Sequence, residues 1–168
     1  AVNAEAKEVS LVKGDAIRYM GYSTHYYYVD GNLAFCLEPD MKSPGNGAYS
    51  ASELDPKSHL SKAMYYMYGG PGYEQYIKSS LTGGWGEDAN AYCLTHCVLS
   101  YIYDGCDQNS AAFKGLNADI ASAVVMYADY VKNLPDIPDA ELAFSENGLT
   151  AYYDREQKCQ RTQSIRLV

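Results

Sequence analysis

Apolar and polar positions along the chain change their period twice. From about residue 8 to 37, AIRYMGYS and THYYYVDGNLAFCL are short runs of aromatic and β-branched residues, the kind that fit a pleated, half-buried surface. Asp30-Gly31, between two such runs, is a hairpin signal. Residues 41–56, MKSPGNGAYSASELDP, are rich in Gly, Ser, Pro and Asn and read as loop. A helical period then takes over. SHLSKAMYYMYGG opens on Ser58 as N-cap, carries Leu60, Met64 and Met67, and stops at Gly69-Gly70. After a Gly-rich turn at TGGWG, EDANAYCLTHCVLSYIYDG gives a longer helix with Glu87 or Asp88 at its start. Tyr92, Leu94, Val98 and Ile102 supply its apolar bulk, and Gly105 follows its end. NADIASAVVMYADYVKNLP opens on Asn117, repeats Ile120, Val124, Tyr127 and Val131 at helical spacing, and is closed by Pro135.

The last third returns to strand patterns: LAFS, a turn at Glu146-Asn147-Gly148, LTAYYD, and CQRTQSIRLV, where Gln163, Ile165 and Leu167 alternate with Ser164 and Arg166. The order β, α, β predicts an α+β domain spanning 1–168. Its strands fall at about 8–37 and 142–168 and form one β-barrel or β-sandwich body, with a helical lobe inserted at about 57–134. A chain of 168 residues with 47% hydrophobic content suits one such unit.

Charge removes two classes of partner. Thirteen Lys and Arg against 21 Asp and Glu give a formal net charge of -8, which repels nucleic acid phosphates and anionic lipid headgroups. No stretch approaches the roughly 18 consecutive apolar residues of a membrane span, and AVNAEAKEV is too polar for a signal peptide's apolar region, so a secreted form is expected to have lost its signal. The 18 tyrosines against 3 Phe and 1 Trp suit half-wet clefts and binding surfaces, and equally suit ordinary strand positions.

The five cysteines leave one unpaired if the rest form disulfides. Cys93 and Cys97, at i and i+4 of one helix, are poorly placed to bond to each other, because their side chains run parallel; Cys93, Cys97, Cys106 and Cys159 are disulfide partners of other cysteines or small buried hydrophobes. A zinc site from Cys93, His96, Cys97 and Cys106 lacks a recognised ligand spacing. A cysteine hydrolase with Cys36 as nucleophile and His25, His59 or His96 as base would place its thiol at the end of a strand, where no helix dipole activates it.

Three stretches, in order, resemble the motifs of the thioester domains of cell-wall-anchored adhesins and pilus-tip proteins of Gram-positive bacteria. FCL at Phe35 to Leu37 resembles the first. AYCLTHCVLSYIY at Ala91 to Tyr103, preceded by MYYMYGGPGY, resembles the helical Thr-Gln motif. TQSIRLV at Thr162 to Val168 resembles the last. The resemblance runs from about Leu33 to Val168 and implies an internal thioester between Cys36 and Gln163, with Tyr92, Thr95 and His96 supporting it, and no cofactor or metal. It also implies covalent capture of a Lys amine on a host or matrix protein, one acyl transfer per molecule and no enzymatic turnover. The location implied is the surface of a Gram-positive bacterium, within a longer wall-anchored chain.

One departure stands inside the helical motif. Where the family has Gln after Thr, this chain has His96, and Cys97 and Tyr101 stand where small and Trp residues are common. An imidazole there offers a base or an acyl acceptor, or is a helix histidine bonded to its neighbours. The alternative to the covalent reading is a disulfide-stabilised adhesin module that binds protein or glycan through its tyrosines without a covalent step.

Overall fold

The computed structural model describes residues 7–138, 151–154 and 158–162. They fall into two compact units, Ala1–Ile137 and Pro138–Val168.

The first unit begins with a four-stranded antiparallel sheet. Strands β1 (Lys7–Tyr19), β2 (Tyr22–Val29), β3 (Asn32–Ala34) and β4 (Gly47–Ala51) lie in the order β3-β2-β1-β4. Two tight turns make the first three. Asp30 and Gly31 both have positive φ, at 49° and 80°, the conformation that the two-residue hairpin turn requires and that Asp-Gly supplies at least cost. Met20 and Gly21 repeat it at 50° and 85°, so the run AIRYMGYS is a strand, a turn and the start of the next strand. The Asp30 carboxylate accepts a hydrogen bond from the Ser10 amide at 2.8 Å and pins the β2–β3 turn to β1. β4 lies in the stretch read as loop. Its backbone pairs with β1 from Lys7↔Ala51 to Leu11↔Gly47, and its weak composition is carried by that ladder.

Five helices follow: α1 (His59–Tyr66), α2 (Tyr73–Tyr76), α3 (Asp88–Tyr103), α4 (Ala111–Lys114) and α5 (Ala118–Lys132). The Ser58 hydroxyl accepts from the Ser61 amide at 3.1 Å and the Asn117 side-chain oxygen Oδ1 from the Ile120 amide at 2.9 Å, each satisfying one of the donors a helix start leaves open. Glu87 stands at the start of α3 without a side-chain cap. At the other end the Cys106 and Gly105 amides donate to Tyr101 and Ile102 carbonyls at 2.8 and 3.1 Å, with Gly105 at φ 72°, a paired closure that ends the helix.

α3 is the axis of the unit. Every residue from Ala91 to Ile102 is buried, so the helix is covered on all sides. It packs on α1 and α5 along one flank and on β1 and β2 along another. Leu94, Val98, Leu99, Val124 and Val131 are within 1% of full burial, each contributing on the order of 2 kcal/mol by removal of its apolar surface from water.

The architecture is α+β, as expected, but the four-stranded sheet is not closed into a barrel. The sheet is open, with β3 and β4 at its edges, and the helix α3 packs on β1 and β2. Helix-on-sheet covering satisfies the same need to bury one face, so the β-α-β order of the sequence does not require closure. In the second unit β5 (Ala151–Asp154) and β6 (Cys159–Thr162) pair antiparallel with each other, Ala151 opposite Thr162 and Asp154 opposite Cys159. The expected LAFS strand, the turn at Glu146-Asn147-Gly148 and the alternation from Gln163 to Leu167 lie outside the described residues.

Candidate functional site

Cys36 lies two residues past the end of the edge strand β3, and α3 holds the backbone at Ala34 and at Cys36 itself. The Tyr92 hydroxyl lies 2.8 Å from the Ala34 carbonyl and 2.9 Å from that of His25, and gives its single proton to one or the other. Two turns further along, the Ser100 hydroxyl donates to the Cys36 carbonyl at 3.3 Å. Between them the Phe35 ring stacks on Tyr92, with centroids 4.7 Å apart and planes 21° from parallel, and stands edge-on to His96 at 6.5 Å. Tyr92, His96 and Ser100 are four residues apart, which puts them on one face of the helix. Burial raises the Tyr92 hydroxyl above the ordinary tyrosine value, so it remains a donor throughout the neutral range.

Cys36 is half-buried, its Sγ 3.8 Å from the Glu38 carbonyl. It lines a cavity of about 190 Å³ with Tyr22, Thr24, His25, Pro39 and His96 among the walls. His96 is 1% exposed, and its Nδ1 lies 3.0 Å from Thr24 Oγ1 on β2. Removal from water holds this imidazole at about 4, well below the ordinary histidine value, so it is neutral at physiological pH. Burial works the other way on the neighbouring thiols. Cys93 is pushed up to about 11, and burial together with the neighbouring Cys93 raises Cys97 further. Both stay protonated and poorly nucleophilic.

The histidine carries a pH dependence with a definite sign. Above its ordinary value near 6.5 it is neutral in both folded and unfolded chains. As pH falls from there toward 4, only the unfolded chain takes up the proton. Stability therefore declines with acidification across that window, by an amount on the order of 3 kcal/mol. Urea unfolding of wild type and of His96→Gln at pH 7 and at pH 4.5 is expected to show the larger acid loss in wild type; equal losses would mean that His96 is solvated in the folded state.

Thr95 faces elsewhere. Its hydroxyl accepts from the Tyr68 amide at 3.1 Å and so holds the Tyr- and Gly-rich loop after α1 against α3. Of the other histidines, His25 lines the Cys36 cavity, whereas the His59 Nε2 is hydrogen-bonded to the Ala128 carbonyl on α5 at 2.8 Å. Among the described residues no group of three or more His, Cys, Asp and Glu side chains is placed to hold a metal ion, so Cys93, His96, Cys97 and Cys106 are not gathered into a zinc site. Cys36, Cys93, Cys97 and Cys106 are free thiols, not joined in disulfides. Gln163 lies outside the described residues.

Two side chains at this site, Ser100 and Thr24, carry no signal as single residues. Ser100 was legible in retrospect as the next polar position after Tyr92 and His96 at a four-residue interval in an otherwise apolar helix. Thr24 was not, because only the packing of β2 on α3 brings it to the imidazole.

Cys36 is thus a half-buried thiol at the edge of the sheet, its segment held by one face of a buried helix, with a neutral histidine on the same small cavity. Residues 8–138, well over half of the chain, match the family described as thioester domain, and the chain belongs to that family. Cys36 and all of α3 lie inside the matched stretch, and Gln163 lies beyond it. No curated protein and no solved structure matches the chain. No helix among the described residues is long and apolar enough to cross a membrane.

Proposed function

We propose that Cys36 forms an internal thioester with the side chain of Gln163, and that the domain uses it to capture an amine on a host or matrix protein in a single acyl transfer. The observation that carries the reading is the position of Cys36: inside the family match, held to α3 through the Ala34 carbonyl and its own, and opening on a cavity. In forming the bond, the Cys36 sulfur attacks the Gln163 carboxamide carbon, the carbon–nitrogen bond breaks, and the thiol proton leaves with the nitrogen as ammonia. An incoming amine then attacks the same carbon, the carbon–sulfur bond breaks, and the amine's proton returns to Cys36. The product is an amide, so the molecule acts once and is a covalent binder in place of an enzyme. A thioester survives in water only where access is restricted, and the rings of Tyr22 and Tyr27 that line the Cys36 cavity serve that purpose.

The surroundings favour a cationic nucleophile. Two further cavities, of about 240 and 170 Å³, share Pro39 with the Cys36 cavity, and Asp40 and Asp104 line both, with Glu38 on the smaller. Among the described residues, no Lys or Arg lines any of the three. A ligand whose reacting lysine has a second positive charge nearby is therefore attracted, in the manner of exposed charges, weakly and with strong dependence on salt. A diamine is expected to label the domain several-fold faster than a neutral-tailed amine of equal length at low ionic strength, with the gap closing in about 0.5 M salt, where screening is nearly complete. Equal rates at low salt would remove the cationic preference.

The setting of such a domain is the surface of a Gram-positive bacterium, as part of a longer wall-anchored adhesin or pilus-tip chain. The non-covalent alternative receives less support, because Cys93, Cys97 and Cys106, three of the four cysteines it would use as staples, are free thiols.

A further inference from the structure

We propose that His96 is the hydrogen-bond donor to the acyl oxygen at this site, acting as a neutral imidazole through Nε2–H, and that Thr24 fixes the tautomer that makes it so. The inference rests on the Cys36–Gln163 reading and assigns the group that stabilises its transition states.

Three features of the geometry lead there. Along α3, His96 sits midway between Tyr92 and Ser100, about 6 Å of helix axis from each. Those two side chains bond the carbonyls of Ala34 and Cys36. The imidazole is thus level with the Phe35–Cys36 segment, and it lines the same cavity as Cys36. Its Nδ1 is engaged by Thr24 Oγ1, while Nε2 has no hydrogen-bond partner among the described residues. The ring is 1% exposed, so a donor on it acts where little water competes and a hydrogen bond to a developing charge is strengthened.

The Thr24 hydroxyl has no other partner among the described residues. When it donates to Nδ1, the ring proton stands on Nε2, on a residue that lines the Cys36 cavity. A base at this position is the weaker alternative, because a base must become an imidazolium, and burial among Tyr22, Phe35 and Tyr92 opposes that charge. A donor needs no change of charge. In both half-reactions the electron pair of the carbonyl moves onto Oε1 of Gln163 as the nucleophile adds, and returns as ammonia or the Cys36 thiolate leaves. Nε2–H bonds the oxyanion between those events and keeps its proton. Preorganised neutral donors of this kind supply much of the acceleration in acyl transfer, and a neutral histidine can serve as the electrophile.

The test compares wild type, His96→Gln and His96→Leu by intact mass and by the rate of methylamine uptake from pH 5 to 9. Gln keeps a neutral donor and is expected to retain the ammonia deficit and uptake within about tenfold. Leu removes the donor and is expected to lose roughly 100-fold or more in uptake. The wild-type rate should follow the free-amine fraction alone, without an inflection that His96→Gln abolishes. Such an inflection would assign a base, and uptake by His96→Leu equal to wild type would assign a packing residue; either overturns the proposal. Should His96→Leu fail to fold, the nitrogen-15 spectrum of the wild-type imidazole decides, since a proton on Nδ1 overturns it. A wild-type mass without the ammonia deficit would overturn the thioester reading itself, whereas a deficit present in wild type and in a fully reactive His96→Leu would overturn only the donor.

Discussion

Replacing Cys36 with Ala is expected to abolish amine uptake and remove the ammonia deficit, and Gln163→Ala to do the same. Each variant loses one of the two atoms of the proposed bond, so the expected effect on capture is complete. The effect on stability is also large. A thioester from Cys36 to Gln163 closes a loop spanning most of the chain, and by the chain-entropy treatment of crosslinks a loop of this size contributes about 5 kcal/mol. Equilibrium unfolding in denaturant should show a loss of that order for Cys36→Ala. Wild type opened by methylamine should fall to the same level, because the amide it forms no longer joins the two ends. Cys36→Ser serves as the control for packing, since it keeps the size of a side chain that is only half-buried. A Cys36→Ala protein that unfolds at the wild-type midpoint, with wild type unaffected by methylamine, would show that no crosslink exists.

The second large effect is expected at Gly70, in the loop after α1. A Cβ built there collides with the backbone carbonyl oxygens of Met64 and Tyr65 at the end of α1, and backbone atoms cannot rotate away as a side chain can. The loop must therefore move. That movement strains the hydrogen bond from the Gly72 amide to the Tyr65 carbonyl, 2.9 Å, and the one from the Tyr68 amide to Thr95 Oγ1, 3.1 Å. Gly70→Ala is expected to destabilise the fold by about 3 kcal/mol, the range of severe overpacking, read as a fall in the denaturant midpoint. Thr95→Val, which removes only the second bond, should cost about 1 kcal/mol. A Gly70→Ala protein as stable as wild type would mean that the loop is not seated on α1.

These two positions also mark what the sequence made legible. The hairpin at Asp30-Gly31 and the helices opened by Ser58 and Asn117 were readable because local chemistry decides them: a positive φ or an open amide at a helix start demands a particular side chain. Met20-Gly21 was readable by the same logic but was hidden inside an apolar run. β4 was not, because GAYSA has loop composition and becomes a strand only by pairing with β1. The open sheet was misjudged for a related reason, since the alternation of apolar residues announces a buried face without saying whether a sheet or a helix covers it.

At the site, Cys36 drew notice as a thiol without a partner, and the face carrying Tyr92 and His96 follows from helical spacing. The role of Thr95 as the anchor of the Tyr68 amide was beyond reach of spacing, because it depends on how the loop after α1 returns to α3. The engagement of His96 by Thr24 joins residues 72 positions apart and emerges only with the fold.

The measurement that bears most directly on the whole account is the intact mass of the purified, non-reduced protein before and after methylamine. A mass below that of the sequence by one ammonia, once two hydrogens are allowed for any disulfide, and a gain of one methylamine on incubation, is the predicted result; fragmentation should place the methylamine on Gln163. A mass equal to the sequence, or lowered by hydrogens alone, and unchanged by the amine, would contradict the thioester and leave Cys36 an ordinary thiol at the edge of the sheet.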